Sequence, residues 1–251
     1  LNQQRRIGKA FHTLKKSNRV RQILNLFIAL TCVTNAFAQK PTNTFGMLTS
    51  KQVEELFPDT ICNKLNINFP IFRVYEYADK TAQYYCILTE SRNEITADKD
   101  TLHHKIKAVN VKAEKGAFTK IWEINDNIIK NDNDETSIWF WTKYIDFKDY
   151  DEDGLADPII IYGTSGANGY DDGRIKFIIY YKGQKVAIRH QNGDLDYERE
   201  TQVDKSFYDL PQSLQSGIKQ KMELMMKNNH AIFPAGWQTA MKNKKTTFNE
   251  R

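Results

Sequence analysis

The sequence predicts an α+β fold: a mainly antiparallel β-sheet carrying a calcium-type hairpin loop and closed by C-terminal helices. Two observations carry this prediction. From about residue 69 to about 201 the chain runs in short period-two segments rich in Ile, Val, Tyr, Phe and Trp, separated by Gly, Asn and Asp clusters. Beyond Pro211 the apolar spacing becomes helical.

In chain order, residues 1–38 have the three parts of an export signal. Arg5, Arg6, Lys9, Lys15, Lys16, Arg19 and Arg21 form a basic stretch, Ile23 to Val33 an apolar core, and Ala36-Phe37-Ala38 an A-x-A cleavage site. The apolar run is shorter than the roughly 20 residues a membrane-spanning helix needs. An uncleaved N-terminal anchor is the alternative. Cleavage would leave a flexible lead-in at 39–48, a single exported domain at 49–251 and no transmembrane segment. The expected location is the periplasm, the outer-membrane surface or the medium.

The leader also carries the positive charge. Of the chain's 36 basic residues 7 lie in it, which leaves 29 against 31 acidic and a net charge of −2. Nothing in such a balance points to nucleic acid. Cys62 and Cys86 remain after cleavage, and an oxidising compartment could pair them; a buried thiol is the alternative.

Thr49-x-x-Gln52 reads as a capping box for a short helix with Val53, Leu56 and Phe57 on one face, stopped by Pro58. Strand patterns follow near 71–77, 84–88, 105–112, 117–124, 137–147, 158–163, 174–181, 185–190 and 195–201. Lys182-Gly183 is a tight-turn signal between two of them. Short separators favour hairpins over crossover helices. From Pro211 a helix carries Leu214, Ile218, Met222, Met225 and Met226 and closes at Asn228-Asn229, and a last short helix is expected near 237–243.

The chemistry concentrates in Asp149-Tyr150-Asp151-Glu152-Asp153-Gly154-Leu155-Ala156-Asp157. Asp149, Asp151, Asp153 and Asp157 can converge on one centre if the chain curls at Gly154, and the Leu155 carbonyl adds an oxygen. Ca2+ takes six to eight hard oxygens in flexible geometry, which is what such a loop supplies. Two carboxylates about 4 Å apart repel by about 4 kcal/mol at an effective dielectric near 20, so the cluster needs a cation or must splay into water. The loop is not an EF-hand: its twelfth position is Ile160, and strand patterns rather than helices flank it.

Elsewhere, Trp139 and Trp141 share one strand face, where they would form a sugar-stacking platform if exposed and core if buried. The glycine-rich loop Gly163 to Gly173, with Ser165, Asp171 and Asp172, could hold a ligand, complete the metal site or simply connect a hairpin. It lacks a P-loop lysine and a G-x-S-x-G elbow. His103-His104 lacks zinc-ligand spacing, and no spacing singles out a catalytic triad.

Strand, D-x-D-x-D-G-x-x-D, strand resembles the calcium hairpin of FG-GAP and integrin-type propeller blades over about 25 residues, without the blade repeat. The leader, this loop, Tyr162-Gly163-Thr164-Ser165-Gly166 and Ile232-Phe233-Pro234-Ala235-Gly236-Trp237 together resemble an exported Bacteroidota family labelled surface polysaccharide biosynthesis protein. That resemblance implies a role in the cell envelope with a glycan or an envelope protein as partner, and it transfers no catalytic residues. The expectation is a non-enzymatic domain with a structural calcium ion. A glycan-acting hydrolase or transferase and a protein-interaction module are the alternatives.

Overall fold

The computed structural model describes residues 45–130 and 135–250. The leader at 1–38, and the lead-in as far as residue 44, lie outside the described residues. Residues 45–48 differ from the expected flexible segment. Phe45–Met47 forms β1, paired antiparallel with β2 (Ile71–Ala78), and Leu48 is buried. Three residues are too few to print a period in the sequence.

The Thr49 box caps α1 (Ser50–Leu56). Thr49 Oγ1 accepts the Gln52 amide at 3.3 Å, and Gln52 Oε1 accepts the Thr49 amide at 2.9 Å. Pro58 ends this helix and immediately precedes a second, α2 (Asp59–Leu65), which stops on Asn66 in the left-handed conformation. Five strands then form one antiparallel sheet in the order β1-β2-β3-β6-β7, where β3 is Gln83–Glu90, β6 is Lys105–Glu114 and β7 is Ala117–Asn127. Between β3 and β6 lies a small hairpin of β4 (Glu94–Ile95) and β5 (Thr101–Leu102).

The remaining strands make a second sheet instead of extending the first. They are β8 (Ser137–Phe140), β9 (Ile159–Ser165), β10 (Arg174–Tyr181), β11 (Gln184–Gln191), β12 (Glu200–Val203) and β13 (Thr247–Asn249), in the spatial order β13 to β8. Two expected strands are shorter than read: the 137–147 run turns into a 3-10 helix at Thr142–Tyr144, and the 195–201 run begins with one at Asp196–Glu198. Two helices, α3 (Gln212–Lys227) and α4 (Trp237–Lys242), connect β12 to β13.

Period-two alternation builds four layers from these elements. On β3, Cys86 and Leu88 face the second sheet with Ile106, Phe147, Ile160 and Ile178, whereas Tyr85 and Ile87 face outward with Phe57 and Leu65. On β9, Ile160 and Tyr162 face the first sheet, while Ile159 and Ile161 pack outward with Ile218, Met222 and Trp237. The order is therefore α1/α2, first sheet, second sheet, α3/α4. Within α3, Leu214, Ile218, Met222 and Met225 are buried, but Met226 is 36% exposed and leaves the stripe.

A β-bulge re-phases β7. Phe118 packs on the outer layer, and on an unbroken strand Trp122, four residues on, would join it. The register shifts between Asn110 and Val111, with Trp122 opposite Asn110 and Lys120 opposite Val111. Ile121 is the extra residue, so Trp122 and Ile124 turn into the inter-sheet layer. Arg174 on β10 ties the sheets together there. It donates to Asp126 of β7 (3.2 Å) and through Nε to Glu135 (2.6 Å), while Lys176 meets Asp126 at 2.7 Å. Burial pushes the Asp126 carboxyl up, but its bond from Lys176 and the charges of Arg174 and Lys176 outweigh burial and hold it below the usual carboxylate range.

Candidate metal centre

The Asp loop lies between the 3-10 helix and β9. Its neck closes where Asp146 and Ile159 exchange backbone hydrogen bonds (3.0 and 2.8 Å) and the Asp157 amide donates to the Lys148 carbonyl (2.8 Å). The chain therefore enters from an isolated bridge at Asp146 and not from a continuous strand. Inside the neck, Glu152 (φ 59°) and Gly154 (φ 87°) are left-handed and curl the loop. The turn between β2 and β3 presses on Gly154: a Cβ there would lie 2.7 Å from Lys80 Cδ.

The curl brings one carboxylate oxygen each from Asp149, Asp151 and Asp153 within 4.8 Å of one another, with all three side chains half-buried. This group could hold a metal ion. Backbone amides organise the same carboxylates. Asp149 accepts from the Asp153 amide (3.1 Å) and the Gly154 amide (2.8 Å), and Asp153 Oδ1 accepts from the Leu155 amide (2.8 Å).

Asp157 does not join the converging oxygens. It is buried, and its Oδ2 accepts the Tyr150 amide at 2.9 Å, which staples the loop across its base. Burial, aided by the charges of Asp151, Asp149 and Asp153 and opposed by the Tyr150 bond, pushes its carboxyl up to about 7. Leu155 enters through its amide bond to Asp153.

Residues from other strands surround the loop. The Tyr181 hydroxyl donates to Asp151 Oδ2 (2.8 Å), and Lys182 Nζ lies 2.9 Å from Asp153 and 3.7 Å from Asp151. Lys182 hydrogen-bonds to Asp153 and thereby lowers its pKa. From the first sheet, the Lys80 ammonium bonds the Asp153 carbonyl and the Lys80 amide donates to Gly154 O at 2.9 Å. Tyr150 anchors the loop to α3: its hydroxyl donates to Asp146 (3.0 Å), Lys221 also meets Asp146 (3.1 Å), and a Cβ on Gly217 would lie 2.3 Å from its ring. Sequence spacing shows none of these partners, because each comes from a distant strand or helix. The Lys182-Gly183 turn signal marked one of their positions without showing that it meets the loop.

The other candidate residues lie elsewhere. Asp171 and Asp172 follow the far end of β9, whose seven residues span about 20 Å, so neither can complete the Asp149 group. Asp172 Oδ2 instead accepts the Asn168 amide (2.8 Å), and Ser165 Oγ pairs with Thr136 Oγ1 (2.9 Å). The glycines of that loop permit close packing: a Cβ on Gly163 would meet the Trp141 ring at 2.5 Å, and one on Gly173 the Thr164 carbonyl at 2.0 Å. Trp141 is 5% exposed and Trp139 half-buried, with rings inclined at 36°, so the pair forms no flat exposed platform. Instead Tyr170 meets both edge-on.

Cys62 and Cys86 are both free thiols. They do not pair, because Cys86 faces the inter-sheet layer while Cys62 packs on the opposite side of the same sheet and bonds the Phe57 carbonyl (3.1 Å). No helix among the described residues is long and apolar enough to cross a membrane. No family model, curated protein or solved structure matches the chain.

Proposed function

We infer that this chain is an exported domain of the cell envelope that holds a structural calcium ion in its Asp loop, acts without catalysis and serves in the assembly or binding of a surface glycan. The observation that carries the metal part is the convergence of Asp149, Asp151 and Asp153 on one small volume. The loop's attachments support a structural role. It touches the β2–β3 turn through Lys80, the β10–β11 turn through Lys182 and α3 through Tyr150, so an ion there would pin three layers at one end. All three carboxylates accept loop amides, which holds their remaining lone pairs in place for an ion. The export leader and the resemblance of the closing segment support the envelope setting.

The metal reading is tested on the full chain after chelation. Extracellular sites of this type bind calcium at 10⁻⁴–10⁻³ M. About 10 mM calcium then stabilises by about 1.4–2.7 kcal/mol, which raises Tm by about 3–10 °C. The double variant Asp151→Asn, Asp153→Asn keeps acceptors for the loop amides and should lose that rise. An equal rise in wild type and variant would overturn the assignment.

A further inference from the structure

At the Asp-loop end of the inter-sheet layer lies an open cavity of about 210 Å³, which borders the metal centre through Leu155 and Lys182. The first sheet lines it with Tyr77, Tyr84, Asn110 and Trp122, the second with Tyr180, and the loop with Ala156. The rings form two stacked pairs. Trp122 and Tyr180 lie 4.0 Å apart at 9°, and Tyr77 and Tyr84 lie 5.1 Å apart at 15°. The bulge at Ile121 is what turns Trp122 inward, and bulges gather where a side chain must be re-aimed at a site.

Two polar groups on this wall are idle. Asn110 is 1% exposed, and its Oδ1 accepts the Tyr77 hydroxyl at 3.0 Å, while its Nδ2 meets no partner among the described residues. Tyr180 is 7% exposed, and its hydroxyl likewise meets none. Neither atom is sealed from solvent, so each can exchange water for a hydroxyl of whatever enters. The charges at the rim are already engaged. Asp79 Oδ1 accepts from the Thr81 and Ala82 amides, its Oδ2 accepts from the Ala156 amide, and Lys182 faces Asp153.

The occupant these features fit is neutral, one ring in size, apolar on its faces and hydroxylated at its edge. A flat apolar ring would use the aromatic walls and leave Asn110 and Tyr180 unpaired. A charged ligand would find no free counter-charge. We propose that this cavity binds a single sugar residue, lodged against the wall that Trp122 and Tyr180 line, with its hydroxyls bonded to the Tyr180 hydroxyl and the Asn110 amide. The site deepens the glycan part of the proposed function and does not require the calcium ion.

The test is titration of the full chain, in calcium, with the methyl glycosides of glucose, galactose, mannose and N-acetylglucosamine, followed by calorimetry and ligand-observed NMR. At least one should bind, with a roughly millimolar Kd. Tyr180→Phe keeps the stacked ring and removes only the hydroxyl that no protein group bonds, so it should weaken that binding about three- to tenfold while Tm holds. No binding across the panel, or binding that Tyr180→Phe leaves unchanged, would overturn the proposal. Failure of calcium to raise Tm, with sugar binding retained, would remove the metal reading and leave this one standing.

Discussion

At the scale of single residues, two positions the sequence left silent bear on stability. His190 is buried between Thr201 and Asn192, with its Nδ1 2.9 Å from Thr201 Oγ1 and its Nε2 2.8 Å from Asn192 Oδ1. Burial dominates and lowers its pKa from 6.5 to about 4. The unfolded chain therefore takes up the proton first. The contribution of His190 is complete above pH 6.5 and is lost as pH falls toward 4, a change of about 3 kcal/mol. Denaturant melts at pH 7 and pH 4 should show this loss in wild type and a smaller one in His190→Gln. Gly217 acts through space. Alanine is the better helix former by about 1 kcal/mol, yet Gly217→Ala should destabilise by about 1–3 kcal/mol because its Cβ meets the Tyr150 ring; a stabilised variant would contradict this. Gly154 was legible because its loop repeats carboxylates around it. Gly217 was not, since its partner lies 67 residues away in the chain.

At the scale of elements, the period of two located the long strands, and the Thr49 box located α1, because both signals are local. Partition into two sheets was not legible: alternation says which residues share a face, not which sheet a strand enters. Nor was the bulge, since Trp122 and Phe118 have the spacing of same-face neighbours. β1, α2 and β13 are too short to print a period. The Arg174 cluster joins elements 39 and 48 residues apart in the chain. Arg174→Met removes the cation between Asp126 and Glu135 and should cost about 3–5 kcal/mol, read as a lowered denaturant midpoint. Lys176 beside Asp126 places the expected loss at the low end of that range.

At the scale of the whole molecule, two helix-covered sheets face each other, with the Asp loop against one end of the layer between them. The sequence showed the loop's carboxylates and its turn, and the fold supplied the elements that they meet. Lys182 refines the metal account. Its ammonium lies 2.9 Å from Asp153, so it competes with a cation at the same oxygens. Lys182→Gln should therefore bind calcium several-fold more tightly, as measured by calorimetric titration, and unchanged affinity would place the ion elsewhere. The central claim, a calcium ion held by Asp149, Asp151 and Asp153, is tested most directly by anomalous diffraction from crystals grown in calcium. The account predicts a peak about 2.3–2.6 Å from one oxygen of each of the three carboxylates. A map without a peak there, from crystals grown at about 10 mM calcium, would contradict it.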